Sequence, residues 1–598
     1  MPQPGQRVTV SYRPSALLSG QPRLTLRARL RAPGGKSYNS GVPVITVATL
    51  RPGDGGTFTG AFALPDSVVY GAFAVEDSSA SVIDDNGSRA WELLVSDSSG
   101  RPAFAALDQR ASDMMGRNWE EGYATVQRMV ALYPDTLRGW IWLRAFHSWL
   151  GRSDDDSIRT LHRTRLAAFD AEFSTTPPTT DEEGLLAWYA QGTDSSIAAR
   201  WRARLIREAP TNSFAVQWRL LSVFDSLRTS HDTVRARRQV DALWAQAPRE
   251  RRAQVAEAGT GLAFESGDMT LIRRWTTRLS QSEDDARASA RRTALNFTRL
   301  ASLRGEGIAR LRAEIDSLVK LAPEDRALDE TLADQRARHD RLRRQTMATL
   351  GQALVADGRP AEARTVLEEA TSIGWNLGVF TTVRSASLLA GDTSSALTMA
   401  ARMIADPRTP AAFAASVHPV AVRHLGEAAW QRELDSARAL FVERMLAGAS
   451  ARTLARKVRV RGLGGRTESI AGLTQGRVSV VVFWSRFCGP AIQELPHLNE
   501  VAARLARDGI PVVSIVDEPT TSPALKAFLK DKQVTVPVYL DSWHEASRAF
   551  NQWGTPYYYV VDDAGRVRFD VTLSADEALA QAEALRLATR VESTSARR

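Results

Sequence analysis

The most reactive side chain in the sequence is the thiol of Cys488, the only cysteine among 598 residues. It lies in the segment VVFWSRFCGPAIQELPHL, which runs from Val481 to Leu498 and changes from a strand-like apolar run to a helix-like pattern. Free N–H groups at a helix N-terminus and the helix dipole stabilise a thiolate. Pro490 suits the first helical turn because it lacks an N–H and has a fixed φ. The sequence therefore predicts a nucleophilic thiol at a strand-to-helix junction.

Composition argues against several other kinds of chemistry. A single cysteine rules out an intrachain disulfide and a cysteine-rich zinc site. The eight histidines are scattered, and His418 and His424 are six residues apart, a spacing that does not share one helix face. The net charge is +9, but basic residues are interspersed with acidic ones, and no long basic run contains interleaved aromatics. We therefore expect no metal site, no cofactor and no nucleic-acid partner.

The length of the chain predicts several domains, because 598 residues exceed what one hydrophobic core supports. No window contains the ~18 to 20 consecutive apolar residues that a spanning helix needs, so no transmembrane segment is expected. The N-terminus, MPQPGQRVTV, shows no basic segment followed by an apolar one, so no signal peptide is visible. This pattern is compatible with two localisations: a cytoplasmic chain, or a mature or trimmed extracytoplasmic chain.

Residues 1–104 are predicted to form an Ig-like β-sandwich. Short strand-like segments such as RVTVSY and LTLRARLR alternate with turns rich in Gly, Pro, Asp and Asn, roughly every ten residues. The run from Asp84 to Gly87 has two interpretations, a calcium loop or a hairpin turn. It lacks the ligand spacing of an EF-hand, and its Asn-Gly step favours the turn.

Residues 105–450 are predicted to form a helical solenoid that resembles tetratricopeptide repeats. Ala, Leu, Arg, Glu and Trp recur at helical spacing, and two segments repeat with a period of 33 residues. Matching small residues mark the repeat: Gly358 with Gly391, and Ala363 with Ala396. The many tryptophans here fit either a peptide-binding groove or large residues packed in the core, and packing is favoured for any single one. A solenoid of this kind is typical of an interaction scaffold.

Residues 451–590 are predicted to form an α/β domain. The apolar run RVSVVVFW, from Arg477 to Trp484, is typical of a strand buried on both faces. Strands and helices follow in the order β-α-β-α-β-β-α after a hairpin-like lead-in, which indicates a central sheet with helices on both faces. Residues 591–598 are predicted to be a disordered tail.

This region resembles the TlpA/ResA-like branch of the thioredoxin superfamily, of the AhpC/TSA-redoxin type. FWSRFCGPAIQELP is similar to the branch's pattern Phe-Trp-x-x-Trp-Cys-x-Pro-Cys-x-x-Glu-x-Pro. LGGRTESIAGLTQGRVSVVV resembles its glycine-turn lead-in, and WGTPYYYVVDDAGRV resembles its cis-proline segment. The resemblance covers about a quarter of the chain. It implies a thioredoxin fold and thiol–disulfide exchange outside the cytoplasm, in the periplasm or cell envelope.

The resemblance also implies roles for individual residues. Cys488 is expected to be the nucleophile, and Glu494 is expected to lie near it and tune its titration. Pro556 is expected to be cis and beside the thiol, with the Thr555 backbone pairing with an extended substrate peptide. The residues implied to contact substrate are Trp484, Phe487, Gly489, Pro490, Thr555 and Pro556. Trp484 fits equally well as a core residue of its strand.

Two departures from the family pattern change the expected chemistry. Phe487 replaces a tryptophan, which is a mild change, whereas Ala491 replaces the second cysteine. A second thiol normally releases the mixed disulfide from within the site. Without one, an external low-molecular-weight thiol or a partner reductase must complete the cycle. The leading hypothesis is therefore a monothiol thiol–disulfide oxidoreductase whose protein or peptide substrates carry a thiol or disulfide.

Two alternatives stay open at the level of sequence. The first is a catalytically degenerate thioredoxin-fold scaffold that binds extended peptides beside Pro556. The second is a single-cysteine peroxidase, because Ser485 and Cys488 match part of a peroxiredoxin signature. Val481 stands where that signature requires proline, which disfavours the peroxidase.

Overall fold

The computed structural model describes residues 2–595 except 4, 35–41, 87–89, 115–118, 150–154, 283–285, 321–324, 448, 450–451, 454–457, 475, 519, 543–544, 551, 553 and 573. The chain forms an N-terminal β-sheet domain, a long helical middle region and a C-terminal α/β domain. This arrangement confirms the predicted multidomain architecture. No helix among the described residues is both long and apolar enough to cross a membrane.

The N-terminal domain is an antiparallel sheet that folds over on itself. Its strands are β1 (Arg7–Tyr12), β2 (Leu24–Arg31), β3 (Val44–Pro52), β4 (Phe58–Ala63), β5 (Tyr70–Asp77), β6 (Ile83–Asp84) and β7 (Trp91–Leu94). The strand order is β1-β4-β3-β2-β5-β6, with β7 also paired to β5. Aromatic rings of β1 and β4 meet rings of β7 and β5 in one core. The ring centroids of Tyr12 and Trp91 are 5.4 Å apart, and those of Phe62 and Phe73 are 5.6 Å apart.

The turn predicted after β6 is only partly described. Asn86 has a φ of 60°, a left-handed conformation typical of a turn. Gly87, the second residue of the Asn-Gly step, lies outside the described residues.

The middle region consists of helices that pack against their neighbours in the chain. They are α1 (Phe104–Met114), α2 (Trp119–Leu132), α3 (Leu137–Trp149), α4 (Asp156–Thr175), α5 (Thr180–Gln191), α6 (Ser195–Glu208), α7 (Ser213–Ser230), α8 (Thr233–Gln246), α9 (Arg249–Ser266), α10 (Met269–Ser282), α11 (Ala286–Arg299), α12 (Arg304–Leu318), α13 (Leu332–Ala356), α14 (Pro360–Ile373), α15 (Leu377–Leu389), α16 (Thr393–Ala405), α17 (Ala411–Leu425) and α18 (Glu427–Leu446).

The 33-residue repeat in the sequence corresponds to two helical hairpins, α13–α14 and α15–α16. Gly358 and Gly391 both have a φ of 75° in the turn between the two helices, a conformation that glycine adopts without strain. Ala363 and Ala396 are buried one turn into the second helix of each hairpin, where a small side chain allows close helix packing. The repeat therefore encodes a turn and a packing contact.

Most of the described tryptophan side chains of the helical region lie in its core. Trp140, Trp201, Trp218 and Trp275 are buried, whereas Trp188 is 47% exposed. This distribution agrees with the packing interpretation of the tryptophans.

Buried ion pairs fix the β-sheet domain to the first helix of the middle region. Arg29 and Arg31 point to the same face of β2 because side chains alternate along a strand. Their guanidinium groups lie 2.6 and 3.1 Å from Oδ1 of Asp113 on α1. Tyr70 Oη donates a hydrogen bond to the other carboxylate oxygen at 3.2 Å. All four side chains are buried, so this contact is an interior interface.

A second buried contact joins the same face of the sheet to the segment before α13. Arg27 donates hydrogen bonds to the carbonyl oxygens of Arg326 and Ala327 at 2.9 and 3.0 Å. Arg326 in turn lies 2.8 Å from the carboxylate of Glu76 on β5. Leu328 packs beside these groups against apolar side chains of the sheet. The β-sheet domain therefore contacts both α1 and a segment about 200 residues later in the chain.

The C-terminal domain is a mixed sheet with helices on both faces. Its elements are β8 (Arg452–Thr453), β9 (Arg459–Gly462), β10 (Thr467–Ser469), α19 (Ile470–Thr474), β11 (Ser479–Trp484), α20 (Gly489–Arg507), β12 (Val512–Val516), α21 (Pro523–Asp531), β13 (Val538–Leu540), α22 (Glu545–Phe550), β14 (Tyr557–Val561), β15 (Arg566–Thr572) and α23 (Ala575–Ser595). The strand order is β10-β9-β13-β12-β11-β14-β15-β8. Strands β11, β12 and β13 are parallel, and β14 and β15 form the predicted hairpin.

The last helix, α23, anchors the C-terminal domain to the helical region. Ala580 and Ala584 of α23 are fully buried in one hydrophobic cluster with Phe441 of α18. Helix α23 extends to Ser595, into the stretch 591–598 for which the sequence predicts a disordered tail. Residues 596–598 lie outside the described residues.

We predict that Asp113→Ala destabilises the protein strongly. The substitution leaves two buried arginines without this carboxylate, and breaking a buried ion pair costs about 3–5 kcal/mol of unfolding free energy. Asp135→Ala is the matched control, because the Asp135 side chain is 84% exposed in its pair with Arg165, and such surface pairs contribute about 0–1 kcal/mol. Urea denaturation compares the two variants. Equal midpoints for Asp113→Ala and the wild type would contradict the prediction.

Candidate functional site

Strand β11 positions the site because it is buried on both faces. Val480, Val482 and Trp484 pack into the cluster beneath α20 and α23, whereas Val481 and Phe483 pack into the cluster on the opposite face. The strand pairs with β12 on one side and with β14 on the other. The end of β11 is therefore held in place, and the chain turns from it directly into α20.

Cys488 occupies the N-cap position of α20, as the sequence predicts for a strand-to-helix junction. Its backbone is extended, with φ −96° and ψ 109°, and its carbonyl accepts the first helical hydrogen bond from the N–H of Ile492 at 3.0 Å. The residue is half-buried. Its Sγ donates a hydrogen bond to the carbonyl oxygen of Thr555 at 3.0 Å. The thiol thus lies between the helix N-terminus and the Thr555 backbone.

The segment facing the thiol comes from the start of β14, 67 residues later in the chain. The peptide bond between Thr555 and Pro556 is cis. Tyr557, the next residue, pairs with Phe483 of β11 in antiparallel register. This pairing brings the Thr555–Pro556 segment beside Cys488, and both Thr555 and Pro556 are half-buried at the surface.

Ala491 occupies the position where the sequence pattern discussed above has a second cysteine. It lies three residues after Cys488 in the first turn of α20 and is 1% exposed. Its methyl group is part of the same hydrophobic cluster against which Cys488 packs. The position that would hold a resolving thiol therefore holds a buried methyl group.

Glu494 connects α20 to the neighbouring elements. Its Oε1 accepts a hydrogen bond from the N–H of Ala575, the first residue of α23, at 3.0 Å, and one from the hydroxyl of Tyr558 at 3.5 Å. A carboxylate at a helix N-terminus is stabilising because it satisfies a free N–H and opposes the helix dipole. Burial, reinforced by Glu494, raises the pKa of Tyr558. Both hydrogen bonds described for Glu494 lead to α23 and β14, so this placement supports a structural tie.

His497 forms a second tie between the same two helices. Its Nε2 lies 3.0 Å from Oδ1 of Asp576 on α23, and its Nδ1 lies 3.6 Å from Glu500 on α20. Burial lowers the pKa of His497, but the carboxylates of Asp576, Glu494 and Glu500 outweigh burial and raise it above its ordinary value. The protonated imidazolium is therefore the form that best links α20 to α23.

Trp484 lies in the core and not at the surface beside the thiol. Its side chain is 1% exposed, its indole N–H donates to the Ser514 hydroxyl at 2.7 Å, and its ring stacks on Phe528 at 6.1 Å. This placement supports the core interpretation of Trp484.

The exposed rim of the site consists of Phe487, Gly489 and Pro490. Phe487 is 56% exposed. The guanidinium carbon of Arg486 lies 4.2 Å from the centre of its ring. Arg486 is itself held by Glu518, whose Oε1 accepts a hydrogen bond from Nε at 2.6 Å.

Sequence reasoning did not identify Arg486 and Glu518 as parts of the site. Glu518 follows β12, 32 residues after Arg486. Only the parallel pairing of β11 with β12, which aligns Trp484 with Val516, brings the two together. The position of Arg486 directly before the Phe487–Cys488 step was the one available signal.

Nothing in the described part of the chain resembles a metal centre, since no group of three or more His, Cys, Asp or Glu side chains converges there. Titratable groups on the elements around the site instead form pairs: Arg486 with Glu518, and His497 with Asp576.

Comparison with known proteins finds similarity in the C-terminal domain, to the AhpC/TSA family and to thiol-disulfide oxidoreductases. The model of the AhpC/TSA family matches residues 452–570. Thiol-disulfide oxidoreductase ResA of Bacillus thuringiensis subsp. konkukian is 26% identical over 93 residues, which are 16% of this chain and 53% of the relative. Sporulation thiol-disulfide oxidoreductase A of Bacillus subtilis is 22% identical over 102 residues, which are 17% of this chain and 62% of the relative. The chain thus spans about half the length of the curated relatives it matches.

Two solved structures are also similar to part of this chain. A thioredoxin-family thiol:disulfide interchange protein from Chlorobium tepidum is 26% identical, covers 23% of this chain and 98% of its own, and gives a TM-score of 0.20. StoA from Bacillus subtilis is 20% identical, covers 21% of this chain and 93% of its own, and gives a TM-score of 0.19.

We predict that His497 titrates above pH 6.5, the ordinary value for histidine. Because its folded-state pKa is raised, the stabilisation from its carboxylate partners is present below about pH 6.5 and is lost as the pH rises through the raised value. Asp576→Asn should lower this pKa towards 6.5. Glu500→Gln, which removes only the longer contact, should lower it less.

NMR titration of protein labelled at histidine checks this prediction, with His497→Asn used to assign the resonance. A midpoint at or below 6.5 in the unmodified protein would contradict it.

Proposed function

We propose that the C-terminal domain is a monothiol thiol–disulfide oxidoreductase that depends on an external thiol to complete its cycle. One observation carries the proposal. Cys488 lies at the N-terminus of α20, half-buried beside the Thr555–Pro556 segment, while position 491 holds a buried alanine. The thiol is placed for attack, but the side chain that would release the product is absent.

The proposed cycle begins when the Cys488 thiolate attacks one sulfur of a substrate disulfide. The substrate S–S bond breaks, a mixed disulfide with Cys488 forms, and the other substrate sulfur leaves as a thiolate that takes up a proton. An external thiolate then attacks Sγ of Cys488 and releases the second substrate thiol. A second external thiol attacks the resulting adduct, forms an external disulfide and regenerates Cys488. The net reaction reduces one substrate disulfide and oxidises two external thiols.

The proposed substrates are proteins or peptides that carry a disulfide or a thiol. The Thr555 carbonyl, which accepts the thiol hydrogen bond, places a backbone group directly beside the sulfur. An extended substrate segment that pairs with this backbone would place its own sulfur beside Cys488. The exposed ring of Phe487 offers apolar contact to the same segment. Glu494 is proposed to hold α20 against α23 instead of contacting the sulfur.

The remaining domains are proposed to present this site to partners outside the cytoplasm. The helical hairpins α13–α14 and α15–α16 are proposed to be tetratricopeptide-like units of an interaction scaffold. A chain with a single cysteine suits an oxidising compartment, because additional thiols there would form unwanted disulfides.

A second function, peptide binding without exchange, is favoured by the hydrogen bond from Cys488 to Thr555. That bond requires a protonated thiol as donor, whereas exchange requires a thiolate. In this alternative, the cleft beside Pro556 recognises extended peptides and the thiol has no chemical role.

We predict that reduction of a peptide disulfide by the wild type requires added thiol and that Cys488→Ser abolishes it. The serine variant contains no thiol, so its residual rate defines the background. Binding of the reduced peptide should persist in that variant. A wild type no faster than Cys488→Ser at saturating external thiol would favour the binding alternative. Loss of peptide binding in Cys488→Ser would show that the thiol itself holds the peptide.

We also predict that Ala491→Cys gains the ability to release product without external thiol. The introduced thiolate would attack Sγ of Cys488, release the substrate thiol and leave an intramolecular disulfide. Ala491→Ser is the matched control, because it adds a similar atom to the buried position without a thiol. Mass spectrometry of a single turnover compares the two variants. Equal release by both would contradict the proposed role of position 491.

A further inference from the structure

Arg486 is a cation held in one orientation at the rim of the thiol site. Its Nε bonds to Glu518, which is 6% exposed, and its guanidinium plane lies over the Phe487 ring. The side chain of Arg486 is 16% exposed. Phe487 directly precedes Cys488, so the aromatic ring beneath the guanidinium belongs to the residue next to the thiol.

No hydrogen bond joins the two terminal nitrogens of Arg486 to any residue in the part of the chain that the structure describes. Within the residues that the structure describes, its hydrogen bonding is limited to the Nε contact with Glu518. A guanidinium presents its two Nη groups as a fork that matches a carboxylate, and such charge-assisted pairs are stronger than neutral hydrogen bonds. The ion pair with Glu518 fixes the fork in place, so little side-chain entropy is lost when a ligand binds.

We infer that Arg486 selects the external thiol, favouring a small thiol that carries a carboxylate. This inference rests on the proposed function, which requires such a thiol because position 491 supplies none. A carboxylate on the Arg486 fork would orient the incoming thiolate towards Sγ of the mixed disulfide. The exposed face of Phe487 would cover the rest of the small molecule. Arg486 is thus a specificity-determining residue for the release step.

The chemistry of the selected step is a single exchange. The thiolate of the small molecule attacks Sγ of Cys488, the bond between Cys488 and the leaving group breaks, and the leaving group departs as a thiolate. Arg486 takes no part in forming or breaking these bonds. It raises the local concentration of the anionic thiol and fixes its direction of approach.

The test uses the full-length protein with Cys488 converted to its mixed disulfide with 2-thiopyridine, a leaving group without a carboxylate. Release of thiopyridone is followed by absorbance after addition of glutathione or of glutathione diethyl ester. The two thiols present the same thiol group, but only glutathione carries free carboxylates. The ratio of their rates in each protein reports recognition of the carboxylate and cancels general changes in the reactivity of the site.

Two variants separate recognition from folding. Arg486→Gln alone would leave the buried carboxylate of Glu518 unpaired, which destabilises the site. The double variant Arg486→Gln with Glu518→Gln removes both charges together. The single variant Glu518→Gln keeps the arginine and removes its competing carboxylate.

We expect the glutathione-to-ester rate ratio to be roughly tenfold higher in the wild type than in the double variant, the order of one charge-assisted hydrogen-bond pair. The ratio in Glu518→Gln, which keeps the arginine, should stay above that of the double variant, and the wild-type ratio should fall with added salt. Equal ratios in the wild type and the double variant would overturn the inference while leaving the proposed function standing.

A further arm measures the first half-reaction, the attack of Cys488 on a peptide disulfide with or without an acidic neighbour. If the double variant changes only this step, Arg486 recognises the substrate and the inference is overturned. If neither thiol releases the leaving group from the wild type, the proposed function fails and the inference fails with it.

Discussion

The burial of β11 on both faces is the constraint on which the thiol site depends. Alternate side chains of this strand pack into separate hydrophobic clusters, so the strand can neither tilt nor slip without exposing one of them. Three consequences meet at its C-terminal end. Helix α20 begins there after its N-cap Cys488, β14 brings Thr555 and Pro556 alongside, and Glu518, two residues after the end of β12, lies beside Arg486.

The site is also tied to the rest of the chain through α23. Glu494 and His497 connect α20 to the first residues of α23, and the middle of α23 packs against Phe441 of α18. At the other end of the helical region, buried arginines of β2 hold the sheet domain against α1 and against the segment before α13. Packed contacts therefore run from the thiol to the N-terminal domain.

The sequence predicted those features whose cause is local. The apolar β-branched run before Trp484 indicated a doubly buried strand, and Gly358 and Gly391 marked turns that require a left-handed backbone. The position of Cys488 at a helix N-terminus followed from the change of pattern and from Pro490. Each of these signals depends on only a few neighbouring residues, so it could be recognised in the sequence alone.

Features that depend on residues far apart in the sequence could not be predicted from the sequence. Apolar and basic residues alternate in LTLRARLR, a pattern typical of a strand with one face exposed to solvent. Arg27, Arg29 and Arg31 are nevertheless buried because α1 and the segment before α13 cover them. Glu494 likewise makes hydrogen bonds to Ala575 and Tyr558, contacts that exist only once α23 and β14 are in place.

The central claim is that Cys488 forms a mixed disulfide that the protein itself cannot resolve. Intact mass measurement of the full-length protein after mixing with one equivalent of a peptide disulfide tests it most directly. We predict one covalent peptide adduct, stable over many times its formation time and lost promptly when a small thiol is added. Failure to form the adduct would contradict exchange chemistry at Cys488, and loss of the adduct without added thiol would contradict the need for an external resolving thiol.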